Sequence, residues 1–323
     1  MSEPSQTPGN VVSGDTHRLS LDVEAGVAAL SNLVRSTHRE IPPEMIDDLA
    51  IAARAAWLGG VAACEHYDGD LEIEDKGVND PVTAADYASN RAILAVLARD
   101  RPDDRILSEE SPPPEERHRQ GRLWVVDPLD GTKEFIAHNG EFSIMVGLAE
   151  AGTTVLGAVY QPAVDRLFAG FVSGGAWVVA DAQQDVTARR LELPAIPEPK
   201  HPIRFVRSRS HPDERLQRLA AELGETVDVI SGSVGIKCAL VATGEADLYV
   251  HPVPFLKEWD TCAPEAVLRG AGGSVTDCSG TPLRYGKSDP RQPGGIFAAT
   301  DAAWRYARPV VVEITAPLFD RDA

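Results

Sequence analysis

The sequence has few lysines and little positive charge of any kind. Its 323 residues include 31 lysines and arginines against 49 aspartates and glutamates, a formal net charge of −18. Binding to a nucleic-acid backbone depends on basic patches, so this balance argues against a nucleic-acid polymer as partner. An enzyme of phosphorylated substrates would need local cations to offset the repulsion. Of the six lysines, four lie in or beside segments of interest: Lys76 in a polar segment at residues 72–81, and Lys133, Lys237 and Lys257 in or beside motifs described below.

Long apolar runs and patterned cysteines are also missing. No run approaches the length of a membrane helix, and the first residues lack the basic and apolar regions of a signal peptide. The four cysteines have neither zinc-site nor disulfide spacing, so reduced thiols suffice. With 43% hydrophobic and 25% charged residues, the composition is typical of a globular protein. We therefore expect a cytoplasmic protein with no membrane partner and with two domains or one large one.

An apolar segment that ends in two closely spaced carboxylates is the most informative stretch. Residues 124–126 read as a buried strand, and Asp127-Pro128 and then Asp130-Gly131 follow, with a threonine next. A strand should stop at Pro128, which has no N–H, and Gly131 permits a backbone that a β-carbon would forbid. Such dipeptides are also ordinary turn formers. Two acids within four residues, with a carbonyl between them and a hydroxyl after them, favour a site for a hard cation such as Mg²⁺.

Two motifs resemble those of a known family. Residues 127–135, Asp-Pro-Leu-Asp-Gly-Thr-Lys-Glu-Phe, resemble the signature of the inositol monophosphatase superfamily of metal-dependent phosphatases. The Thr-Lys-Glu ending is similar to the 3'(2'),5'-bisphosphate nucleotidase (CysQ-type) branch, because inositol monophosphatases proper more usually carry Thr-Thr-Asn-Phe. Residues 259–265, Trp-Asp-Thr-Cys-Ala-Pro-Glu, match the second signature. The resemblance covers about residues 45–305 and implies an α+β or α/β fold, the layered αβαβα sandwich of the inositol monophosphatase and fructose-1,6-bisphosphatase type.

The order of patterned segments predicts three parts. Residues 1–40 are interpreted as an N-terminal extension with one short helix, residues 41–182 as an α+β subdomain, and residues 201–317 as an α/β subdomain. The polar, proline-bearing segment 181–202 is the expected boundary. Helices are predicted near residues 44–66, 82–99, 212–223 and 234–243, and an antiparallel meander over residues 142–180.

The resemblance implies two or three Mg²⁺ ions and a set of oxygen ligands. These are the side chains of Glu109, Asp127, Asp130 and Asp260 and the carbonyl of Leu129. Without the resemblance, Glu109-Glu110 would be a solvated pair. Asp260 would be a helix N-cap with Pro264 in the first turn, which is worth about 1 kcal/mol.

The same resemblance assigns the remaining site residues. Thr132, oriented by Asp86, would position or deprotonate the attacking water, although Asp86 also lies three residues after Thr83, close to a capping box. The backbone N–H groups of Gly131 and Thr132 would hold phosphoryl oxygens. Further substrate contacts are expected at Lys133, Ser233, Lys237 and Asp260, with Ser233 and Lys237 as the candidates for the second phosphate. The loop at residues 232–237 precedes a helix, where free N–H groups favour anions, but a flexible helix start explains it equally well.

The function implied is a lithium-sensitive, Mg²⁺-dependent phosphomonoesterase of sulfur metabolism with no covalent phosphoenzyme. Its expected substrate is a small phosphorylated metabolite, 3'-phosphoadenosine 5'-phosphate, cleaved to AMP and phosphate, with the sulfated form as a further candidate. Inositol phosphates and fructose 1,6-bisphosphate remain alternatives, and a homodimer is left open.

Two other classes compete with this interpretation. Haloacid-dehalogenase phosphatases use Asp-x-Asp-Gly-Thr, whereas two residues separate Asp127 from Asp130 here, which breaks that geometry. A non-enzymatic scaffold would be expected to have lost a ligand, and none is missing from the sequence.

Overall fold

The computed structural model describes residues 16–67, 69, 73–77, 80–112, 121–182, 185–209 and 213–319. Its helices are α1 (Thr16–Thr37), α2 (Pro43–Cys64), α3 (Ala84–Asp100), α4 (Thr132–Ile136), α5 (Glu214–Glu222), α6 (Val234–Ala242), α7 (Glu258–Gly270) and α8 (Asp301–Phe319). Its strands are β1 (Ile73–Gly77), β2 (Asp80–Thr83), β3 (Arg105–Ser108), β4 (Arg122–Asp130), β5 (Ser143–Glu150), β6 (Thr153–Gln161), β7 (Arg166–Phe171), β8 (Gly175–Ala182), β9 (Asp185–Leu191), β10 (Ile203–Ser208), β11 (Thr226–Ser231), β12 (Leu248–His251), β13 (Gly273–Thr276) and β14 (Ile296–Thr300).

The first sheet has seven strands in the order β3-β4-β5-β6-β7-β8-β9. Strands β3 and β4 are parallel, and the rest form an antiparallel meander, as predicted. Helices α1, α2 and α3 pack together, and α1 and α2 cover one face of this sheet. Helix α2 begins at Pro43, whose fixed φ and missing N–H suit a first helical position. Its alanine-rich face allows close approach to the sheet, where Ala52, Ala53 and Ala56 are fully buried.

The second sheet has five strands in the order β11-β10-β12-β14-β13. Strand β10 runs parallel to β11 and β12, while β14 is antiparallel to β12 and β13. Helices α6 and α7 lie between the two sheets, and α5 and α8 cover the outer face of the second. The layers are therefore helix, sheet, helix, sheet, helix, which is the predicted αβαβα sandwich. Its apolar side chains form three cores: one between α1, α2 and the first sheet, one around α6 and α7 between the two sheets, and one between the second sheet and α5 and α8.

Three local predictions differ from the structure. Helix α1 has 22 residues and is not short, and its side chains Val23, Val27, Leu30 and Val34 are buried in the first core. Strand β9 lies inside the segment interpreted as a boundary, because it pairs with β8 and completes the first sheet. The chain passes from one sheet to the other between Leu191 and Ile203. The division into subdomains at residues 182 and 201 stays a prediction.

The described helices and the four cysteines can be compared with the expectations of no membrane-spanning segment and no disulfide. None of the described helices is both long enough and apolar enough to cross a membrane. All four cysteines are buried free thiols, as the lack of paired spacing indicates.

Candidate active site

Glu109 and Asp127 are brought together by the parallel pairing of β3 with β4. Ser108 and Val126 are opposite each other in this ladder, and the backbone N–H of Glu109 donates to Val126 O at 3.2 Å. Because the two strands end side by side, the residues that follow them share one edge of the sheet. The turn after β3 is held by Asn90, whose side-chain amide donates to Glu110 O at 3.3 Å.

The end of β4 forms the turn that the sequence predicts, with one difference. The strand does not stop at Pro128 but continues to Asp130, with a break in register between Asp127 and Asp130. Gly131 has φ +95°, a conformation that favours glycine, and α4 begins at the next residue. A hydrogen bond of 2.6 Å from Ser89 Oγ to Pro128 O ties this turn to α3. Two carboxylates and the Leu129 carbonyl are thus fixed on one short irregular segment.

Asp86 both caps α3 and contacts Thr132. Its Oδ2 accepts hydrogen bonds from Thr83 N and Thr83 Oγ1, each at 2.8 Å, and completes the predicted capping box. Its Oδ1 lies 3.2 Å from Thr132 Oγ1, which is also 3.2 Å from Leu129 O. The threonine hydroxyl has a single proton to donate, so one of these acceptors receives it and the oxygen keeps lone pairs for a water.

Asp260 enters the site from the first turn of α7. The prediction that it is the N-cap, with Pro264 in the first turn, is wrong, because α7 begins one turn earlier. Lys257 is the N-cap, Asp260 is the third helical residue, and Pro264 lies inside the helix. The Asp260 carboxylate accepts from Lys257 N at 2.5 Å. It therefore still satisfies a backbone donor at the start of the helix.

The electrostatics of these acids show how closely they are grouped. Burial and then the charges of Glu109, Asp130 and Asp260 hold the pKa of Asp127 well above its usual range. Burial, and then Asp130, raises the pKa of Asp260 to about 7, and its side chain is within hydrogen-bonding reach of Asp127. Burial also raises the pKa of Asp130. Like charges this close destabilise the ionised forms unless a cation is present.

The oxygen ligands of the described residues suit a hard divalent cation, although they do not form a complete coordination shell. Among the described residues, no three histidine, cysteine, aspartate or glutamate side chains converge on one point that could hold a metal ion. Carboxylate oxygens point instead at protein donors, such as Asp127 Oδ1 at Leu129 N, 3.0 Å away. Each carboxylate has a second oxygen, and Mg²⁺ takes few protein ligands and keeps several waters. The oxygen chemistry and the repulsion within the cluster both favour a cation here.

The loop before α6 is anchored to Asp130. Ser233, with φ +50°, donates from Oγ to Asp130 Oδ2 at 2.5 Å, and Gly235 N donates to the same oxygen at 2.9 Å. The Ser233 hydroxyl also lies 2.9 Å from that of Ser143. Non-glycine residues seldom adopt such a φ, so this strain indicates a loop whose geometry is imposed by its contacts.

The side chains of Lys237 and Lys133 are less exposed to solvent than a role in binding substrate would suggest. Lys237 is 4% exposed, and its Nζ lies 5.1 Å from the centroid of the Tyr249 ring. Burial lowers its pKa, opposed by the charges of Asp130 and Glu134. Lys133 is half-buried in the first turn of α4. Their contacts with substrate stay predictions.

Several residues that shape the site were not predicted from the sequence. Ser89 and Asn90 belong to a helix whose apolar pattern gives no hint that polar side chains reach the turns after β3 and β4. Glu141 and Arg209, discussed below, pair across 68 positions of sequence. Local motifs carry no signal for such long-range partners.

Comparisons with known proteins identify the family and the fold of this chain. Residues 45–313 match the inositol monophosphatase family. The chain is 39% identical over 244 residues to the 3'(2'),5'-bisphosphate nucleotidase CysQ of Shigella flexneri, covering 75% of this chain and 94% of that protein. It is 30% identical over 282 residues to the 3'-phosphoadenosine 5'-phosphate phosphatase of Mycobacterium leprae, covering 80% and 91%. The crystal structure of CysQ from Bacteroides thetaiotaomicron superposes with a TM-score of 0.67 at 32% identity, covering 79% of this chain and 97% of that one.

This chain belongs to the inositol monophosphatase family. Its members are generally metal-dependent phosphatases.

Proposed function

We propose that this protein is a Mg²⁺-dependent phosphatase that removes the 3'-phosphate of 3'-phosphoadenosine 5'-phosphate, giving AMP and phosphate. The observation that carries the proposal is that the buried Asp127 of β4 lies within the electrostatic influence of Glu109, Asp130 and Asp260, on a turn that also places Thr132 beside Asp86. The names of the relatives favour a bisphosphate nucleotide over an inositol or sugar phosphate. Sulfated 3'-phosphoadenosine 5'-phosphate has the same 3'-phosphate and is a second candidate substrate.

The metal ligands proposed are the carboxylates of Glu109, Asp127, Asp130 and Asp260 with the Leu129 carbonyl, for two or three Mg²⁺ ions. When bound, Mg²⁺ lowers the pKa of a water ligand, orients the reacting groups and offsets charge on the leaving oxygen. The protein's part is to hold the acids close together although they repel. The pairing of β3 with β4 brings two of the segments together. Hydrogen bonds from the backbone N–H groups of Leu129, Gly235 and Lys257 then hold the carboxylates of Asp127, Asp130 and Asp260, respectively.

Thr132 and Asp86 are proposed to handle the proton of the attacking water. The water donates to Thr132 Oγ1, and the threonine proton is directed to Asp86 Oδ1, 3.2 Å away. Asp86 is 3% exposed, and its other oxygen is fixed by Thr83, so the acceptor cannot turn away. Such proton handling contributes about 10²–10⁴-fold to rate. The backbone N–H groups of Gly131 and Thr132, at the start of α4, hold phosphoryl oxygens.

Recognition of the rest of the substrate is proposed for Lys133 and the Ser233–Lys237 loop. The hydroxyl of Ser233 donates a hydrogen bond to Asp130, which places this loop beside the acids of the site. The buried Lys237 adds positive charge near Asp130 and Glu134. This local charge offsets part of the repulsion that a chain of net charge −18 exerts on an anionic substrate.

Product analysis with controlled metal tests this function. The protein is freed of metal with a chelator, and the bisphosphate nucleotide is added with and without Mg²⁺. AMP and phosphate should appear only with Mg²⁺. Adenosine 3'-phosphate as the product would mean cleavage at the wrong position. Acid-stable phosphate trapped on Asp127 would indicate a covalent route and contradict the proposed attack by water.

A further inference from the structure

Glu141 connects three segments at the edge of the candidate site. It lies between α4 and β5, and its carboxylate accepts two hydrogen bonds from Arg209, Nε at 2.8 Å and Nη2 at 2.6 Å. Its Oε2 also accepts from Gly232 N at 2.7 Å. Arg209 follows β10, and Gly232 follows β11, where Arg209 N donates to Ser231 O. The Glu141 side chain, which precedes a strand of the first sheet, thereby holds the two segments that follow β10 and β11 of the second sheet.

The loop held by Glu141 is the same loop that Asp130 holds. Gly232 is bound by Glu141, and its neighbour Ser233 is bound by Asp130 at 2.5 Å. A β-carbon on Gly232 would lie 2.4 Å from Glu134 Cγ and 2.8 Å from the backbone carbonyl oxygen of Glu141, so this loop is packed closely against the segment that contains Glu134 and Glu141. Two adjacent loop residues, Gly232 and Ser233, therefore connect the Glu141–Arg209 pair to the proposed metal ligand Asp130.

Arg209 is more accessible to a substrate than Lys237 is. Its side chain is 47% exposed, whereas Lys237 is 4% exposed and packed on Tyr249. A guanidinium has five N–H donors in a planar fork, which suits the oxygens of a phosphate. In the described part of the chain, hydrogen bonds from the Arg209 side chain use two of them, both to Glu141. Glu141 thus fixes the plane of the fork and leaves its other edge available.

We propose that Arg209 binds the phosphate of the substrate that is not cleaved, and that Glu141 is the positioning residue that holds Arg209 for this contact. The inference rests on the proposed function, because it assigns the second phosphate of the same substrate. It makes Arg209 a specificity-determining residue for bisphosphorylated over monophosphorylated nucleotides.

The kinetic test compares Arg209→Gln with the wild type on 3'-phosphoadenosine 5'-phosphate and on adenosine 3'-phosphate, which lacks the second phosphate. KM for the bisphosphate should rise about tenfold to a hundredfold, as expected for a lost charge-assisted hydrogen bond, while kcat changes little. The monophosphate should be almost unaffected. Arg218→Gln is the matched control, because Arg218 is an exposed arginine that pairs with Glu222 on α5.

Two more variants separate positioning from direct binding. Glu141→Gln keeps an oxygen for Gly232 N but loses the charge that orients Arg209, so KM for the bisphosphate should rise in the same direction. Combined with Arg209→Gln it should add little, because both changes remove one contact. Arg209→Lys should restore part of the affinity. An equal loss on both substrates, or no loss on either, would overturn the proposal and leave the pair as a structural brace.

Binding of AMP keeps this inference separate from the proposed function. AMP carries the second phosphate but no group to be cleaved, and its affinity can be measured by calorimetry whether or not turnover occurs. The wild type should bind AMP at least about tenfold more tightly than adenosine, and Arg209→Gln should lose this preference. If the wild type binds AMP in this way but does not cleave the bisphosphate, the proposed function fails while the Arg209 assignment stands. Equal binding of AMP and adenosine by the wild type contradicts the Arg209 assignment.

Discussion

Replacing Asp127 by asparagine should abolish turnover and stabilise the metal-free protein. Asp127 is 1% exposed and lies among the charges of Glu109, Asp130 and Asp260. At about 5 Å and an effective dielectric constant of about 20, each like-charged pair costs about 3 kcal/mol. The asparagine keeps an oxygen that can accept from Leu129 N, so the local hydrogen bond survives. After allowance for screening, we expect a net stabilisation of about 1–3 kcal/mol.

The raised pKa values of these carboxyl groups determine how the stability gained by Asp127→Asn should change with pH. Asp260 has a pKa of about 7 in the folded protein, above the value of about 3.9 for an unfolded aspartate. The native state therefore binds protons more tightly between these values, and the contribution to stability falls as pH rises from about 4 through about 7. Asp127 behaves in the same way, because burial and the charges of Glu109, Asp130 and Asp260 hold its own pKa well above the usual range, and Asp127→Asn removes its share of this loss. The stabilisation should be large at pH 8 and small at pH 5.

Thermal unfolding in chelator at both pH values measures the effect. At pH 8 the melting temperature of Asp127→Asn should exceed that of the wild type by roughly 2–10 °C. Mg²⁺ should stabilise the wild type more than the variant, and activity should fall on the order of a thousandfold, equal to about 4 kcal/mol. Asp247→Asn is the control, because Asp247 is ion-paired with Arg204 at 2.6 Å and its loss should destabilise. Lower stability of Asp127→Asn at pH 8, or near-normal Mg²⁺-dependent turnover, would refute the reasoning.

Other perturbations test separate parts of the site. Lithium should inhibit at Mg²⁺ levels that support activity, because it would occupy a Mg²⁺ position with too little charge; a rate that is insensitive to lithium would argue against the proposed metal site. Lys237→Met should lower kcat/KM for mono- and bisphosphate alike, since its ammonium balances Asp130 and Glu134 within the protein; a loss confined to the bisphosphate would instead identify Lys237 as the direct ligand. Gly232→Ala should reduce kcat/KM for both substrates, because the added methyl group would collide with the Glu134 side chain and the Glu141 carbonyl and displace the loop; wild-type kinetics in this variant would show that the loop can move without consequence.

The sequence was most informative where chemistry and local backbone depend on the same residues. The Asp127–Thr132 turn could be predicted because proline, glycine and two carboxylates each constrain the chain within a few positions. The Thr83–Asp86 cap could be predicted for the same reason. Asp260 was assigned correctly to the start of a helix but not to its position there, because a cap depends on where the preceding loop ends.

Features that depend on distant contacts could not be predicted. The buried face of α1 is read as mildly amphipathic from sequence, and only its packing on α2, β8 and β9 shows that it belongs to the core. The loop motif at residues 232–237 suggested Lys237 as the cation for substrate. In the structure Lys237 is buried against Tyr249 of β12, whereas Arg209, which follows β10 and pairs with Glu141, is exposed. Both facts depend on how β10, β11 and β12 pair in one sheet, which local sequence does not reveal.

The most direct test of the central claim is a phosphate-release comparison at fixed Mg²⁺. The substrates are 3'-phosphoadenosine 5'-phosphate, inositol 1-phosphate and fructose 1,6-bisphosphate, each measured with the wild type and with a metal-free control. We predict that kcat/KM for the bisphosphate nucleotide exceeds that for the other two by at least about tenfold, with activity lost when the metal is removed. A higher kcat/KM for either of the other substrates, or turnover that persists without metal, would contradict the account.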